Sequence, residues 1–247
     1  MKLRLDKLLL DRGLAPSRER AQAMILAGRI LVDEQKVTKA GQLVSAVAAL
    51  RILGEDQKYV SRGGVKLEHA LAHWQLDLNG RICMDVGAST GGFTDCMLQH
   101  GATQVIAVDT GYGQLDVKLR SDACVRLLEK TNARHLIATQ VPEPVSFIAM
   151  DVSFISATLV LPAVIESGFK GRAGDLVVLV KPQFEAGREH VGKGGIVRDE
   201  AARQAAVARV RACVEALGGI GVQVVESPIL GAEGNQEFLL LARFAPR

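Results

Sequence analysis

The sequence predicts an α/β protein in which a doubly wound domain with a mostly parallel sheet follows a small α+β domain. From about residue 61 onward, short continuous apolar runs alternate with helical stretches, as expected for parallel strands covered on both faces. One of these runs leads into a glycine-rich turn and then a helix. The first 58 residues differ, because two helical patterns are followed there by several short strands. The predicted domains are therefore residues 1–58 and 59–247.

The small domain begins with an amphipathic stretch over residues 5–12 that Gly13 ends. Ser17 is a good N-cap for a second helix over residues 18–27, and Gly28 is its stop signal. Short strand patterns follow, and we expect them to form one small sheet; they lie at residues 30–32, around Val37, at 43–44 and at 50–53. The polar stretch 54–58 is the predicted linker.

The large domain is predicted to hold six strands, at residues 82–86, 105–108, 147–150, 176–180, 222–225 and 238–244. Helical patterns separate them, at residues 66–74, 94–100, 155–167 and 200–217. No internal repeat interrupts this order. The alternation is that of an open, doubly wound sheet whose ligand lies at the carboxyl ends of the strands.

Composition and charge restrict the function classes. There is no run of 18 apolar residues, and charges occupy the N-terminus where a signal peptide needs an apolar stretch, so we expect a soluble cytoplasmic protein. The four cysteines are widely spaced without a C-x-x-C pair, which argues against a disulfide framework or a zinc site. Residues 1–60 hold 11 Lys and Arg against 7 acids, the excess expected where a module contacts phosphates. A solvated basic face would give the same count.

The glycine-rich turn over residues 82–94 indicates the cofactor. Its spacing is G-x-x-x-G-G, not the G-x-G-x-x-G that approaches a pyrophosphate, and Asp85 ends the strand where phosphates would be repelled. S-adenosylmethionine, which has ribose hydroxyls and a cationic amino group but no phosphate, fits better than NAD. Asp109 ends the next strand and is placed to accept hydrogen bonds from ribose hydroxyls. The predicted cofactor-binding residues are Asp85, Gly87, Ser89, Gly91, Gly92, Phe93, Thr94 and Asp109.

Charged residues also stand at the ends of later strands. Asp151 and Lys181 each follow a buried strand, Glu237 opens the last strand, and Lys66 lies in the helix that begins the large domain. Taken singly, each of these residues is most simply explained as a charged group exposed to water at the end of its element. Two such residues after successive strands beside the ligand crevice are better explained as parts of an active site.

The first 55 or so residues resemble the S-four-type RNA-binding domain. The similarity covers residues 4–9, Gly13, Ser17-Arg18, Ala21, Ile25, Gly28, Ile30, Val32 and Lys39, in the order and spacing of that domain. In that family, basic side chains of the paired helices contact RNA phosphates. The resemblance therefore implies RNA contacts for Arg4, Lys7, Arg18 and Arg20.

Nearly the whole chain resembles the haemolysin-A (TlyA) family, whose catalytic domain is similar to FtsJ-type RNA ribose 2′-O-methyltransferases. Four segments carry this resemblance, at residues 61–67, 85–93, 151–156 and 181–185. It implies an S-adenosylmethionine-dependent enzyme acting on ribosomal RNA, with a tetrad of Lys66, Asp151, Lys181 and Glu237. Glu233 is the competing position for the fourth member. Lys181 either removes the proton of the acceptor hydroxyl or, as a charged group, orients its oxygen.

Two further function classes have less support. A haemolysin would need a secretion signal and a membrane-inserting segment, and a non-catalytic RNA-binding protein would have lost the glycine turn or the tetrad. Residues 187–194 nearly match a phosphate-binding loop, but Gly194 stands where Ser or Thr must ligate magnesium; a basic loop over RNA and a plain surface loop both remain open. His69 and His73 lie one helical turn apart without a third ligand, so no metal is predicted.

Overall fold

The computed structural model describes residues 2–53 and 58–246, which divide into two compact units, residues 1–56 and 57–247. The predicted linker lies outside the described residues except for Lys58. Among the described residues, no helix is long and apolar enough to cross a membrane.

The small unit contains two helices and two small sheets. Its elements are β1 (Lys2–Arg4), α1 (Leu5–Asp11), α2 (Arg18–Leu26), β2 (Ile30–Val32), β3 (Gln35–Val37), β4 (Leu43–Ser45) and β5 (Leu50–Ile52). β1 pairs with β4, and β2 lies between β3 and β5, all antiparallel. The expectation of a single sheet was wrong, because the unpredicted strand β1 takes β4 into a separate pair.

Local signals explain where the helices of the small unit begin and end. Ser17 Oγ accepts a hydrogen bond from the backbone N–H of Arg20 at 3.2 Å, which is the predicted N-cap of α2. Gly13 and Gly28 follow the two helices with positive φ of 66° and 65°, a conformation that costs glycine little. Leu5, Leu9 and Ile25 are fully buried between the helices and the strands.

The large unit is a seven-stranded sheet flanked by helices. Its strands are β6 (Ile82–Val86), β7 (Gln104–Val108), β8 (Val125–Leu128), β9 (Phe147–Met150), β10 (Gly174–Val180), β11 (Ile220–Glu226) and β12 (Phe238–Phe244). The order across the sheet is β11-β12-β10-β9-β6-β7-β8. β12 runs antiparallel to both of its neighbours, and the remaining pairs are parallel. The doubly wound, mostly parallel class is confirmed.

The helices of the large unit cover both faces of this sheet. They are α3 (Gly63–His73), α4 (Gly92–Gln99), α5 (Val117–Arg120), α6 (Leu161–Phe169), α7 (Pro182–Glu185) and α8 (Glu200–Ala216). Neighbouring strand residues enter different cores: Cys83 packs with α3 and α4, and Met84 packs with α6 and α8. Both side chains are fully buried, which explains why the strand sequences are continuously apolar.

Two elements differ from the sequence prediction. The edge strand β8 was missed, because its residues are only half-buried and include Arg126, whose guanidinium binds Glu143. The helix expected from residue 155 begins at Leu161. Phe154 adopts a positive φ of 63°, and Ser156 then caps a short 3-10 turn over Ala157–Leu159. Residues 151–156 are consequently free to line a cavity.

The strand order reverses between β6 and β9, and a crevice opens there at the carboxyl ends of the strands. Gly87 follows β6 and Asp151 follows β9 at this point. A Cβ on Gly87 would collide with the backbone carbonyl of Asp151, and its φ is +87°. Only glycine lets the two loops approach this closely without strain.

Candidate active site

The four residues of the predicted tetrad line one cavity of about 460 Å³ in the large unit. Lys66 comes from α3, Asp151 from the loop after β9, Lys181 from the end of β10, and Glu237 from the residue before β12. Gly87, Ser89, Gly92 and Phe93 of the glycine-rich turn lie on the same wall. Residues 171 positions apart in sequence, Lys66 and Glu237, are thus brought into direct contact.

The tetrad forms two ion pairs. Lys66 Nζ binds Glu237 Oε2, and both side chains are buried. Lys181 Nζ lies 2.6 Å from Asp151 Oδ1 and also donates a hydrogen bond to Ser153 Oγ at 2.7 Å. The first pair is sheltered from water, whereas the second lies at the more open part of the cavity.

The reversed direction of β12 explains how Glu237 reaches this edge. Phe238, the first residue of β12, pairs with Val180, the last residue of β10. Because β12 is antiparallel, its start lies beside the ends of the other strands, and Glu237 therefore stands next to Lys181. Glu233 is exposed and does not line the cavity. Of the two positions weighed from the sequence, the structure brings Glu237 to the other three residues.

A second cavity of about 420 Å³ adjoins the first and shares Gly87, Ser89 and Asp151 with it. Asp109, at the end of β7, lies in its wall. Asp109 Oδ2 accepts a hydrogen bond from the backbone N–H of Ser89 at 2.7 Å, and Oδ1 accepts one from Gly111 at 2.6 Å. These bonds fix the carboxylate, and each oxygen keeps acceptor capacity for a ligand hydroxyl.

Three predicted cofactor residues do not line either cavity. Asp85 is completely buried beneath the glycine-rich turn, and Thr94 Oγ1 donates to its Oδ2 at 2.6 Å. Its other oxygen, Oδ1, has no hydrogen-bond donor among the described residues. Burial raises the pKa of Asp85 to about 7, opposed by the Thr94 hydrogen bond. Gly91 has a φ of +97° and packs against Leu115 and Leu119, where a Cβ atom would collide with their side chains.

The sequence analysis missed Phe154 and Glu185. Phe154 is 91% exposed at the rim of the second cavity, and its ring lies 5.4 Å from that of Phe184. The buried carboxylate of Glu185 accepts hydrogen bonds from Ser156 Oγ and from the backbone N–H of Ala157, both at 2.6 Å. Both residues belong to segments that carry the family resemblance, which was the available signal for them.

The remaining candidates line neither of the two cavities. Arg4, Lys7, Arg18 and Arg20 are all exposed in the small unit. In the large unit, Arg188, Lys193 and Arg198 are exposed on the loop around residues 187–198, and no strand leads into it. The rings of His69 and His73 stack at 5.9 Å. Within the described part of the chain, no group of three His, Cys, Asp or Glu is placed to hold a metal ion.

A mostly parallel sheet with one reversed strand, a glycine-rich turn at the switch point and an acid after the neighbouring strand define a methyltransferase fold, which solved methyltransferases of low sequence identity share. Family models match both units: an FtsJ-like methyltransferase over residues 59–244 and an S4 domain over residues 3–47. The chain belongs to the FtsJ-like methyltransferases, in the haemolysin-A (TlyA) family.

Individual relatives support this assignment over almost the full chain. The 16S/23S rRNA (cytidine-2′-O)-methyltransferase TlyA of Mycobacterium tuberculosis is 43% identical, over 97% of this chain and 89% of the relative. Hemolysin A of Brachyspira hyodysenteriae is 40% identical, over 96% of this chain and 98% of that relative. A solved structure of a candidate hemolysin from Streptococcus thermophilus is 42% identical, with a TM-score of 0.75, covering 99% of this chain and 89% of that one.

Proposed function

We propose that this methyltransferase transfers a methyl group from S-adenosylmethionine to a ribose 2′-hydroxyl of ribosomal RNA in the cytoplasm. The observation that carries the proposal is the convergence of Lys66, Asp151, Lys181 and Glu237 on one cavity beside the glycine-rich turn. The relative from M. tuberculosis is named for the same reaction on cytidines. Residues 59–247 would perform the transfer, and residues 1–58 would hold the RNA.

The residues present fit S-adenosylmethionine. Asp109 offers a fixed carboxylate with spare acceptor capacity for the ribose hydroxyls. Asp85 Oδ1 is a buried acceptor without a donor among the described residues, as expected of a group reserved for a cationic amino group. The positive φ of Gly87 and Gly91 gives the turn its curvature. Ser89, Gly92, Phe93 and Thr94 complete the proposed set.

The chemistry follows from the second ion pair. Bound S-adenosylmethionine supplies a methyl group on a positively charged sulfur. Lys181 forms an ion pair with Asp151 and donates a hydrogen bond to Ser153. Because an ammonium has three N–H donors, a further N–H of Lys181 can hold the 2′-hydroxyl oxygen in line with the methyl group. When the methyl carbon leaves the sulfur as a neutral thioether and bonds to the 2′-oxygen, the Asp151 carboxylate would take up the hydroxyl proton. Lys66, paired with Glu237 in the wall of the same cavity, would complete the proposed catalytic set.

Methyl transfer from tritium-labelled S-adenosylmethionine tests the proposal. The full chain is incubated with purified ribosomal RNA, separate ribosomal subunits and whole ribosomes, and any labelled nucleotide is mapped. We expect label on the 2′-oxygen of at least one of these acceptors. Methylation there should make the adjoining phosphodiester bond resistant to alkaline cleavage. No label on any of the three acceptors would contradict the proposal, and label on a base would contradict the assigned position.

Glu185 is expected to position Lys181 and Asp151 relative to each other. Its carboxylate connects the segment after β10 to the segment after β9, through Ser156 and Ala157. Glu185→Gln keeps one acceptor oxygen, so we expect the single-turnover rate to fall about tenfold, because small displacements of reacting groups are costly. The dissociation constant for S-adenosylmethionine should stay unchanged. The exposed neighbour variant Glu189→Gln is the control, and an equal rate in the two variants would contradict this role.

Phe154 is expected to contact the acceptor. The positive φ of Phe154 costs about 1–3 kcal/mol of backbone strain, and such strain is concentrated at functional sites. Its aromatic ring is exposed. A base can stack on such a ring for about 1–3 kcal/mol. Phe154→Ala should therefore raise the KM for RNA roughly 5- to 100-fold at an unchanged affinity for S-adenosylmethionine. Phe154→Tyr should keep the wild-type KM, and a tyrosine variant as weak as the alanine variant would exclude stacking.

A further inference from the structure

The small unit contains a buried carboxylate that binds two exposed arginines. Asp6, the second residue of α1, is fully buried. Arg4 donates to it through Nε and Nη2, at 3.0 and 2.9 Å. Arg18 Nε donates at 3.0 Å, Gln22 Nε2 at 2.8 Å, and the backbone N–H of Lys7 at 2.9 Å. The Arg4 hydrogen bond is the largest of the effects that hold the pKa of Asp6 well below its usual range.

These contacts leave the outer edges of both arginines available. The side chains of Arg4 and Arg18 are 46% and 49% exposed. A guanidinium has five N–H donors, and Arg18 uses only Nε on Asp6. Within residues 2–53 and 58–246, neither arginine contacts an acceptor other than Asp6. Gly41 lies beside the Arg4 guanidinium, where a Cβ would stand 3.3 Å from both terminal nitrogens. Arg4 is thus held closely from two sides.

The resemblance already implies RNA contacts for Arg4 and Arg18; we propose that Asp6 is the positioning residue that holds these two arginines together as one phosphate-binding unit. Two guanidiniums repel each other, but both donate to the same oxygen, Asp6 Oδ2, which keeps them adjacent. The group retains one net positive charge, and guanidinium edges match the oxygens of a phosphate. Asp6 itself is buried and cannot contact the RNA. The inference rests on the proposed RNA acceptor.

The direction in which Asp6→Asn changes RNA affinity tests the positioning role. Asp6→Asn removes a negative charge, so overall charge alone predicts tighter RNA binding. We expect the reverse: a roughly tenfold higher dissociation constant for labelled total ribosomal RNA, because the arginines lose their fixed geometry. The slope of log K against log salt should become shallower by about 0.7–1.8, corresponding to one or two lost phosphate contacts. Binding equal to or tighter than wild type would overturn the proposal.

A matched pair in the same unit supplies the controls. Arg51 and Glu34 form an ion pair in which both partners are exposed. Glu34→Gln should leave RNA affinity unchanged or slightly higher, in contrast to Asp6→Asn. Arg18→Gln leaves Arg4 and Gln22 on Asp6, and should weaken RNA binding about fivefold more than Arg51→Gln, which removes the same charge. This comparison decides the matter if Asp6→Asn unfolds the small unit, and equal losses would overturn the site.

The effect of Asp6 must also depend on its arginines. In an Arg4→Ala/Arg18→Ala background, Asp6→Asn should change RNA affinity less than twofold, because there is nothing left to position. A tenfold loss that persists in this background would assign Asp6 a purely structural role. All variants should bind S-adenosylmethionine with wild-type affinity. If the wild-type chain itself binds no ribosomal RNA, the proposed acceptor is wrong as well; if it binds and Asp6→Asn is neutral, only this inference fails.

Discussion

Lys181→Ala is expected to lower the rate of methyl transfer by about 10²–10⁴-fold, the range seen when a single orienting donor or proton-transfer group is removed. The structure gives the reason, since Lys181 is the cation that contacts Asp151 and Ser153 at the junction of the two cavities. The residue does not contact Asp109 or the glycine-rich turn by hydrogen bond. The affinity for S-adenosylmethionine should therefore stay within about twofold, because the substitution acts on orientation of the acceptor.

Single-turnover transfer at saturating S-adenosylmethionine measures this effect directly. Lys118→Ala, on the exposed surface of α5, is the matched control and should transfer at the wild-type rate. Titration of S-adenosylmethionine against each variant separates binding from transfer. If Lys181→Ala retained transfer at a rate near that of Lys118→Ala, Lys181 would have no part in the reaction.

Asp85→Asn is expected to stabilise the large unit at neutral and alkaline pH while weakening the cofactor complex. The pKa of Asp85 lies at about 7 in the folded chain, above its ordinary value of 3.8. Well below pH 3.8 the group is protonated in both the folded and the unfolded chain, so its burial does not penalise folding. As the pH rises towards 7, the unfolded chain loses this proton more easily, and stability falls by up to about 4 kcal/mol. Asparagine cannot ionise and avoids that loss.

Urea denaturation at pH 5 and pH 8 measures the difference. Trp74 is the single tryptophan and lies in the large unit, so its fluorescence reports the unfolding of that unit. The free energy of unfolding of Asp85→Asn should exceed that of the wild type by more at pH 8 than at pH 5. Glu226→Gln changes a residue at the exposed end of β11, and its free energy of unfolding should stay close to the wild-type value at both pH values. An equal increase in the free energy of unfolding at both pH values would contradict the raised pKa of the buried Asp85 carboxylate. A tenfold weaker affinity for S-adenosylmethionine is the companion expectation.

Strand and helix patterns predicted the large unit well because its strands are buried on both faces. Leu176, Val177 and Val178 are all completely buried, and a short continuous run of this kind is typical of a central parallel strand. The edge strand β8 has no such run, because its four residues are only half-buried and Arg126 interrupts the apolar sequence. The pairing of β1 with β4 was equally hidden, since three-residue strands carry little pattern.

Topology brings together the site residues that were predicted at strand ends, whereas residues fixed by tertiary contacts were not predicted from the sequence. Asp151 and Lys181 follow buried strands, and topology alone places them at one edge. No pattern indicates that Glu185 would be buried against Ser156 or that Phe154 would be strained and exposed. Nor does composition show that one buried acid, Asp6, would take up two arginines of the basic small unit. Such features depend on distances between segments, which a linear sequence does not contain.

The reversed strand β12 makes the position of Glu237 depend on strand register. Glu237, like Asp151 and Lys181, lies one residue outside its strand, and the ladder of seven residue pairs between β10 and β12 sets where it stands beside Lys181. A slip of two residues in that ladder would carry Glu237 about 6.6 Å along the sheet while leaving every apolar side chain facing its own core. The alignment of the proposed catalytic residues would therefore depend on the register of β12, and a register error would be expected to give a folded but inactive protein.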